Sequence, residues 1–131
     1  MKIKVDHHSD IPVYKQIVVA IKDMILANEL IEGEALPSVR KLAINLGVNP
    51  NTIAKVFFIL QSEGYVDSKP GIGYYVAKPP PSSIEKRLMD LDDAMRRIIL
   101  KMKRFALSEE EINKRFSAIM EGVFENERNR S

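Results

Sequence analysis

Four polar side chains open the stretch NPNTIAK: Asn49, Asn51, Thr52 and Lys55, set just ahead of the apolar run VFFIL. Short amides, a hydroxyl and an ammonium can hydrogen-bond to base edges or pair with phosphate, and the amides at a helix N-terminus attract the same anions. Asn49 suits an N-cap and Pro50 a first helical position, so the polar tip marks the start of a helix with Ile53, Val56, Phe57 and Leu60 as its buried stripe. Upstream, Ser38, Arg40 and Lys41 open a second apolar stretch, where the arginine can grip a phosphate backbone or read a guanine. From Ala35 through Gln61 there is no Asp or Glu, while Arg40, Lys41 and Lys55 all fall inside that window. A polyanion partner needs such a local lack of acid, although the net charge of +2 implies no such partner by itself.

These side chains need a scaffold, and the flanking pattern supplies one. Tyr14, Ile17, Val18, Ile21, Met24 and Ile25 recur at three- and four-residue spacing behind Ser9, Asp10 and Pro12. They predict a first helix with proline in its first turn and a stop near Asn28. LIEGEALP reads as a loop extending to Pro37. Ser38 caps a second helix that buries Val39, Leu42, Ala43 and Leu46 and stops at Gly47. The third helix, 49–63, ends at Gly64, and only GVN separates it from the second, the short connection of a helix-turn-helix. Tyr65 to Ser68 and Tyr74 to Ala77 read as short strands around KPGIG, a wing spanning 65–77 with Lys69, Gly71 and Gly73 at its turn. The expected fold is mainly α with a small β wing, a winged helix-turn-helix over residues 1–78. In such a unit the second helix of the pair points its N-terminal residues at base edges in the major groove. Asn49, Asn51, Thr52 and Lys55 are then the candidate readers, with Lys69, Gly71 and Gly73 as candidate wing contacts.

Beyond the wing the pattern changes. Pro79, Pro80 and Pro81 stand in succession, so residues 79–83 read as a stiff extended linker. Ile84, Leu88, Leu91, Met95, Ile98, Met102 and Phe105 then alternate in steps of four and three, a coiled-coil seam. Ser108 and Glu111 form a capping box for a further helix carrying Ile112, Phe116, Ile119 and Val123 at the same spacing. Residues 84–131 are expected to form an antiparallel helical hairpin. Two helices make too thin a layer to bury both seams, which points to a homodimer through Leu88, Leu91, Met95, Ile98, Met102, Phe105, Ile112, Phe116, Ile119 and Val123. Arg96, Arg97, Lys101, Glu109 and Glu110 read as solvated faces, and the polar tail ENERNRS is expected to fray.

Composition bounds the rest. At 131 residues and 45% hydrophobic content the chain can bury one modest core and add a helical appendage. It has no cysteine, hence neither a disulfide framework nor a thiolate zinc site. MKIKVDHHSD lacks a signal-like apolar run, and nothing approaches the roughly 18 apolar residues of a membrane span. A soluble, cytoplasmic chain without membrane contact is expected. His7 and His8 lie near Asp6 and Asp10, but no distant His or Cys completes a metal set. GIGYYV is followed by a strand rather than a helix and has no third glycine, so it is no dinucleotide loop. No Ser-His-Asp or paired-carboxylate arrangement sits on a credible scaffold, so neither an enzyme nor a cofactor is expected.

LPSVRKLAINLGVNPNTIAKVFFILQSEGYVDSKPGIGYYV resembles the signature run of the GntR family of bacterial transcription regulators: its LPS-x-R-x-LA segment, LGV, threonine-initiated recognition helix, L-x-x-EG and G-x-G-x-x-V wing. The resemblance covers residues 10–77, and the NPNT version with a short helical C-terminus is most similar to the YtrA-like subfamily, which lacks a large effector domain. It implies a homodimer on a pseudo-palindromic operator, usually as a repressor and often near transporter operons. It places the family's DNA contacts at Ser38, Arg40, Asn49, Asn51, Thr52, Lys55 and Gly71. Pro70 stands where the family's wing often has arginine, with Lys69 one residue earlier. Phe58 and Ile59 occupy third-helix positions expected to be more polar.

Each polar residue also has a plainer role: Ser38 and Asn49 as caps, Lys55 as a solvated lysine, the glycines as turn geometry. Two classes of function therefore stand side by side. One is a dimeric DNA-binding repressor; the other is a winged-helix module whose face, with Phe58 and Ile59, binds protein. A small-molecule effector held between the C-terminal helices would add control to the first, but nothing in the sequence builds a pocket for it.

Overall fold

Apolar residues at helical spacing, bounded by residues able to cap, give the computed structural model its elements; it describes residues 1–129. In order they are α1 (Val13–Leu26), α2 (Val39–Leu46), α3 (Pro50–Ser62), β1 (Val66–Lys69), β2 (Gly73–Val76), α4 (Pro81–Arg104) and α5 (Glu109–Arg128). The chain divides into a unit ending at Lys86 and a second from Arg87 onward. The first is a winged helix-turn-helix, as the sequence predicts. Ile17, Val18, Ile21 and Ile25 of α1, Leu42 and Ala43 of α2, and Ile53, Val56, Phe57 and Leu60 of α3 share one core with Tyr65, Val66 and Val76. Phe57 is fully buried and its ring stacks on Tyr74 of the wing with centroids 4.4 Å apart. Burying such a side chain contributes about 1.5–3 kcal/mol, so the hairpin is fixed on α3 by packing as well as by its turn.

Helix boundaries follow capping chemistry. Pro12 occupies the N-cap of α1 with no side-chain cap bond, one place earlier than the first-turn proline expected. Ser9 does not cap the helix either; its Oγ accepts from the Ile11 amide at 3.1 Å and closes a turn before it. At the other ends one device recurs. Asn28, Gly47, Gly64 and Ala106 all have positive φ. The amide after each returns to a carbonyl of the last helical turn: Glu29 to Met24 (2.8 Å), Val48 to Ala43 (3.0 Å), Tyr65 to Leu60 (2.9 Å) and Leu107 to Met102 (3.2 Å). This is the Schellman stop, and at Ala106 it holds a residue with a Cβ in the left-handed region.

The strands pair antiparallel with Val66 opposite Val76 and Lys69 opposite Gly73, one residue later at the first strand and one earlier at the second than expected. The larger difference lies in LIEGEALP, read as a loop. The Gly33 amide bonds Val76 O at 2.8 Å, Val76 N bonds Glu34 O at 2.9 Å and Leu36 N bonds Tyr74 O at 2.9 Å, so this segment lines the outer edge of β2. An edge strand left bare invites pairing with another chain, and these bonds cover it. Periodicity carries no trace of the pairing because Gly33, Glu34 and Pro37 interrupt any alternation.

The three prolines also differ from a uniform linker. Pro79 and Pro80 are non-helical, while Pro81 takes the first position of α4, where its missing amide costs nothing. A Cβ on Gly64, at φ +82°, would meet Pro80 Cδ at 2.6 Å, so the residue must be glycine both for its φ and for this contact. Ser83 Oγ donates to Glu63 O at 2.5 Å and Tyr65 OH donates to Ser83 O at 3.3 Å. Glu63 forms an ion pair with Lys22 of α1 and a second with Lys86 at 3.4 Å. The first turn of α4 is thereby tied to the winged-helix unit.

Burial pushes the Glu63 carboxyl up, but the hydrogen bond and charge of Lys22, helped by Lys86, outweigh it and hold its pKa below the ordinary glutamate value. A depressed folded pKa contributes stability that is present above the unfolded value and is lost as pH falls through the folded one. Glu63→Gln is therefore expected to cost about 1–2 kcal/mol at neutral pH. Urea unfolding at descending pH should show the two proteins converge below the depressed pKa; a constant difference would contradict this.

In the second unit Ser108 caps α5 and forms the expected capping box with Glu111, both bonds at 3.2 Å. This helix follows α4 after the short connection of residues 105–108. Among the predicted seam residues Ile112 is buried, and Met102 and Phe116 are half-buried. Leu88, Leu91, Met95 and Ile98 remain 47–50% exposed, and Ile119, Val123 and Phe105 more so. Phe105 lies just past α4 rather than within it. Ile98, Lys101, Met102, Phe105, Leu107 and Arg115 line a groove of about 330 Å³, a hollow the sequence had not foretold. The tail expected to fray is helical through Arg128; residues 130 and 131 lie outside the described residues.

Candidate nucleic-acid interface

The turn between α2 and α3 is built on short-range bonds and closed by the core the two helices share. Gly47 turns left-handed at φ 67°, Val48 returns its amide to Ala43, and Asn49 at once caps the next helix. The two helices bend by 119° at this break. Ser38 Oγ accepts from the Lys41 amide at 3.1 Å, and Asn49 Oδ1 accepts from the Asn51 amide at 2.8 Å. Both are thus caps, as their plainer reading has it. Each cap spends an acceptor and leaves a donor, the Ser38 hydroxyl proton and the Asn49 amide nitrogen, and donors are what phosphate oxygens require.

Neither helix has an acid in its first turn. Ser38, Arg40, Lys41, Asn49, Asn51 and Lys55 are exposed, and Thr52 is half-buried. Arg40 and Lys41 make no ion pair with any described residue. Asn51, Thr52 and Lys55 come together with Val13 and Tyr14 of α1 around a shallow hollow of about 330 Å³. The Lys55 ammonium sits 3.8 Å from the centroid of the Tyr14 ring. In the wing, Lys69, Gly71 and Gly73 are all exposed, and Lys69 Nζ lies 5.4 Å from the Tyr75 ring. Ile72 stands at the wing tip, 69% exposed between the two glycines.

Sequence reasoning placed Tyr14 on the buried face of α1 and missed its link to Lys55, since no local spacing joins residues so far apart. It also missed Gln16. The Gln16 side chain accepts from the Asp6 amide at 2.9 Å and donates to Asp6 O at 2.9 Å and Ile11 O at 2.8 Å, holding the N-terminal arm against α1. Phe58 and Ile59 part company: Ile59 is half-buried against the core, whereas Phe58 is 73% exposed.

Comparison with known proteins fits this geometry. Residues 13–76 match the model of the family "Bacterial regulatory proteins, gntR family". The HTH-type transcriptional repressor YtrA of Bacillus subtilis is 30% identical over 99 residues, 75% of this chain and 76% of that protein. A transcriptional regulator from Oenococcus oeni superposes with a TM-score of 0.72 at 28% identity, over 92% of this chain and 97% of the other. The DNA-binding domain of AraR, solved in complex with operator ORX1, superposes at 0.53 with 26% identity, over 59% of this chain and 99% of that domain. With the signature run folded as a winged helix-turn-helix and these relatives covering most of its length, the chain belongs to the gntR family of bacterial transcription regulators.

Proposed function

We propose that the protein is a cytoplasmic, homodimeric repressor that binds a pseudo-palindromic DNA operator. The observation that carries this reading is the pair of capped helices set at 119°, free of acid in their first turns and bearing Arg40, Lys41 and Lys55 exposed. In the assigned roles, Asn49, Asn51 and Thr52 present short donors and acceptors to base edges in the major groove. Arg40 reads a guanine or grips the flanking backbone, with Ser38 and Lys41 on phosphate. Lys69 and the open backbone of Gly71 and Gly73 follow the neighbouring groove. The domains proposed are residues 1–78 for DNA, 79–83 as connector and 84–131 for dimerisation. The half-exposed seam of Leu88, Leu91, Met95 and Ile98 supports the last role, since so many apolar side chains on one helix need a covering partner. A C2 dimer would match a two-fold operator. Repression is the sign proposed because the Bacillus subtilis relative is a repressor.

Selection from a pool of random duplexes by the full chain tests the reading. Enrichment of a two-fold symmetric motif is expected, and a pool that stays random through repeated rounds would contradict it. The exposed Phe58 favours a second reading, a protein-binding face without sequence-specific DNA contact. Under it Phe58→Ser would abolish capture of a protein partner, whereas the repressor reading expects no effect on the enriched motif.

A further inference from the structure

We infer that Lys55 is a sequence-independent backbone anchor rather than a base reader, and that Tyr14 is the positioning residue that holds it. The inference rests on the proposed DNA-binding role of this surface and assigns one of its contacts. Tyr14 lies in the first turn of α1, half-buried and packed against the core, and α1 packs directly on α3. Its ring is therefore a fixed platform beside the recognition helix. The Lys55 ammonium rests over that platform at 3.8 Å, within the range where the negative face of an aromatic ring attracts a cation. A lysine is otherwise a flexible point charge that surrenders much rotamer freedom on making a fixed contact. Here the ring restricts that freedom before any partner arrives.

The same geometry selects the partner. Held toward α1, the ammonium borders the hollow lined by Val13, Tyr14, Asn51 and Thr52, away from a free sweep across base edges. It has no planar fork with which to make a bidentate contact to a base, and a compact charge with rotatable donors suits a phosphate oxygen. Pro12 gives the first turn of α1 no side-chain acceptor, and that turn contains no acid, so nothing there competes for the charge. Asn51 and Thr52 are left to read sequence, and Lys55 to fix register on the backbone.

The test uses the full chain, a duplex recovered by selection and a scrambled duplex, titrated over a salt series. Lys55→Ala is expected to weaken binding to both duplexes by the same factor and to lower the log–log salt slope by about 1. Tyr14→Leu, which keeps the charge but removes the platform, should weaken both by about two- to fivefold with the slope preserved. Tyr14→Phe should match the unaltered protein. In the free protein the Lys55 ε-methylene protons should be shifted upfield by the ring, the shift surviving in Tyr14→Phe and vanishing in Tyr14→Leu. A merely structural tyrosine would not produce that pattern. Loss of affinity in Lys55→Ala confined to the selected duplex makes Lys55 a base reader and overturns the inference. Equal affinity and no ring shift across the tyrosine variants overturn the positioning role. Failure of the unaltered protein to bind any duplex would instead remove the DNA-binding reading, and this inference with it.

Discussion

Ile98→Glu is expected to convert the protein to a monomer and to weaken operator binding by two orders of magnitude or more. Ile98 is half exposed in the single chain, so for an isolated molecule the substitution changes a surface site and should stay within about 0.5 kcal/mol of neutral. Lys101 lies three residues on, and a glutamate at 98 would gain a helical partner rather than lose one. In a dimer the same carboxylate is drawn out of water into an apolar seam, a desolvation that one lysine at the rim does not offset and that costs several kcal/mol. Two half-sites bound by one linked molecule gain affinity through high effective concentration, and a monomer forfeits that gain. Sedimentation should therefore show half the mass with the helical circular dichroism retained, and with a thermal midpoint that no longer rises with protein concentration. A variant that remains dimeric would move the interface away from α4.

The second large effect is expected from Arg40→Ala. The side chain is exposed on the first turn of α2 and makes no ion pair with any described residue, so its loss should leave folding unaffected. A bidentate contact to guanine is worth about 1–3 kcal/mol of discrimination, equivalent to roughly 5- to 150-fold in affinity for the selected site. Arg40→Lys should not restore it, because an ammonium cannot reproduce the fork. If Arg40 contacts only phosphate, alanine will weaken selected and scrambled duplexes alike and lysine will largely rescue both. Unchanged affinity would remove Arg40 from the interface.

What could be read from the sequence was whatever depends on near neighbours. Ser38, Asn49 and Ser108 declared themselves as caps because a cap bond spans only two or three residues, and Asn28, Gly47 and Gly64 declared the stops for the same reason. The three core stripes followed from spacing. Pairings between distant segments left no local mark: residues 33–36 on the edge of β2, Ser83 against Glu63, and Lys55 over Tyr14 each need the fold to bring them together. Ile59 illustrates the limit within a single helix, since periodicity alone could not say whether its flank of α3 meets the core or open solvent, and it meets the core. Phe58, one residue earlier, faces out. At the candidate site the polar identities were legible, whereas the orientation of Lys55 and the absence of an α1 side-chain cap were not.

Whether this winged helix reads DNA sequence is decided by fluorescence anisotropy on a selected duplex beside its scrambled counterpart, at two salt concentrations. The selected duplex is expected to bind about a thousandfold or more tighter, with affinity for both falling steeply as salt rises. Equal affinity for the two duplexes, or binding indifferent to salt, would contradict it.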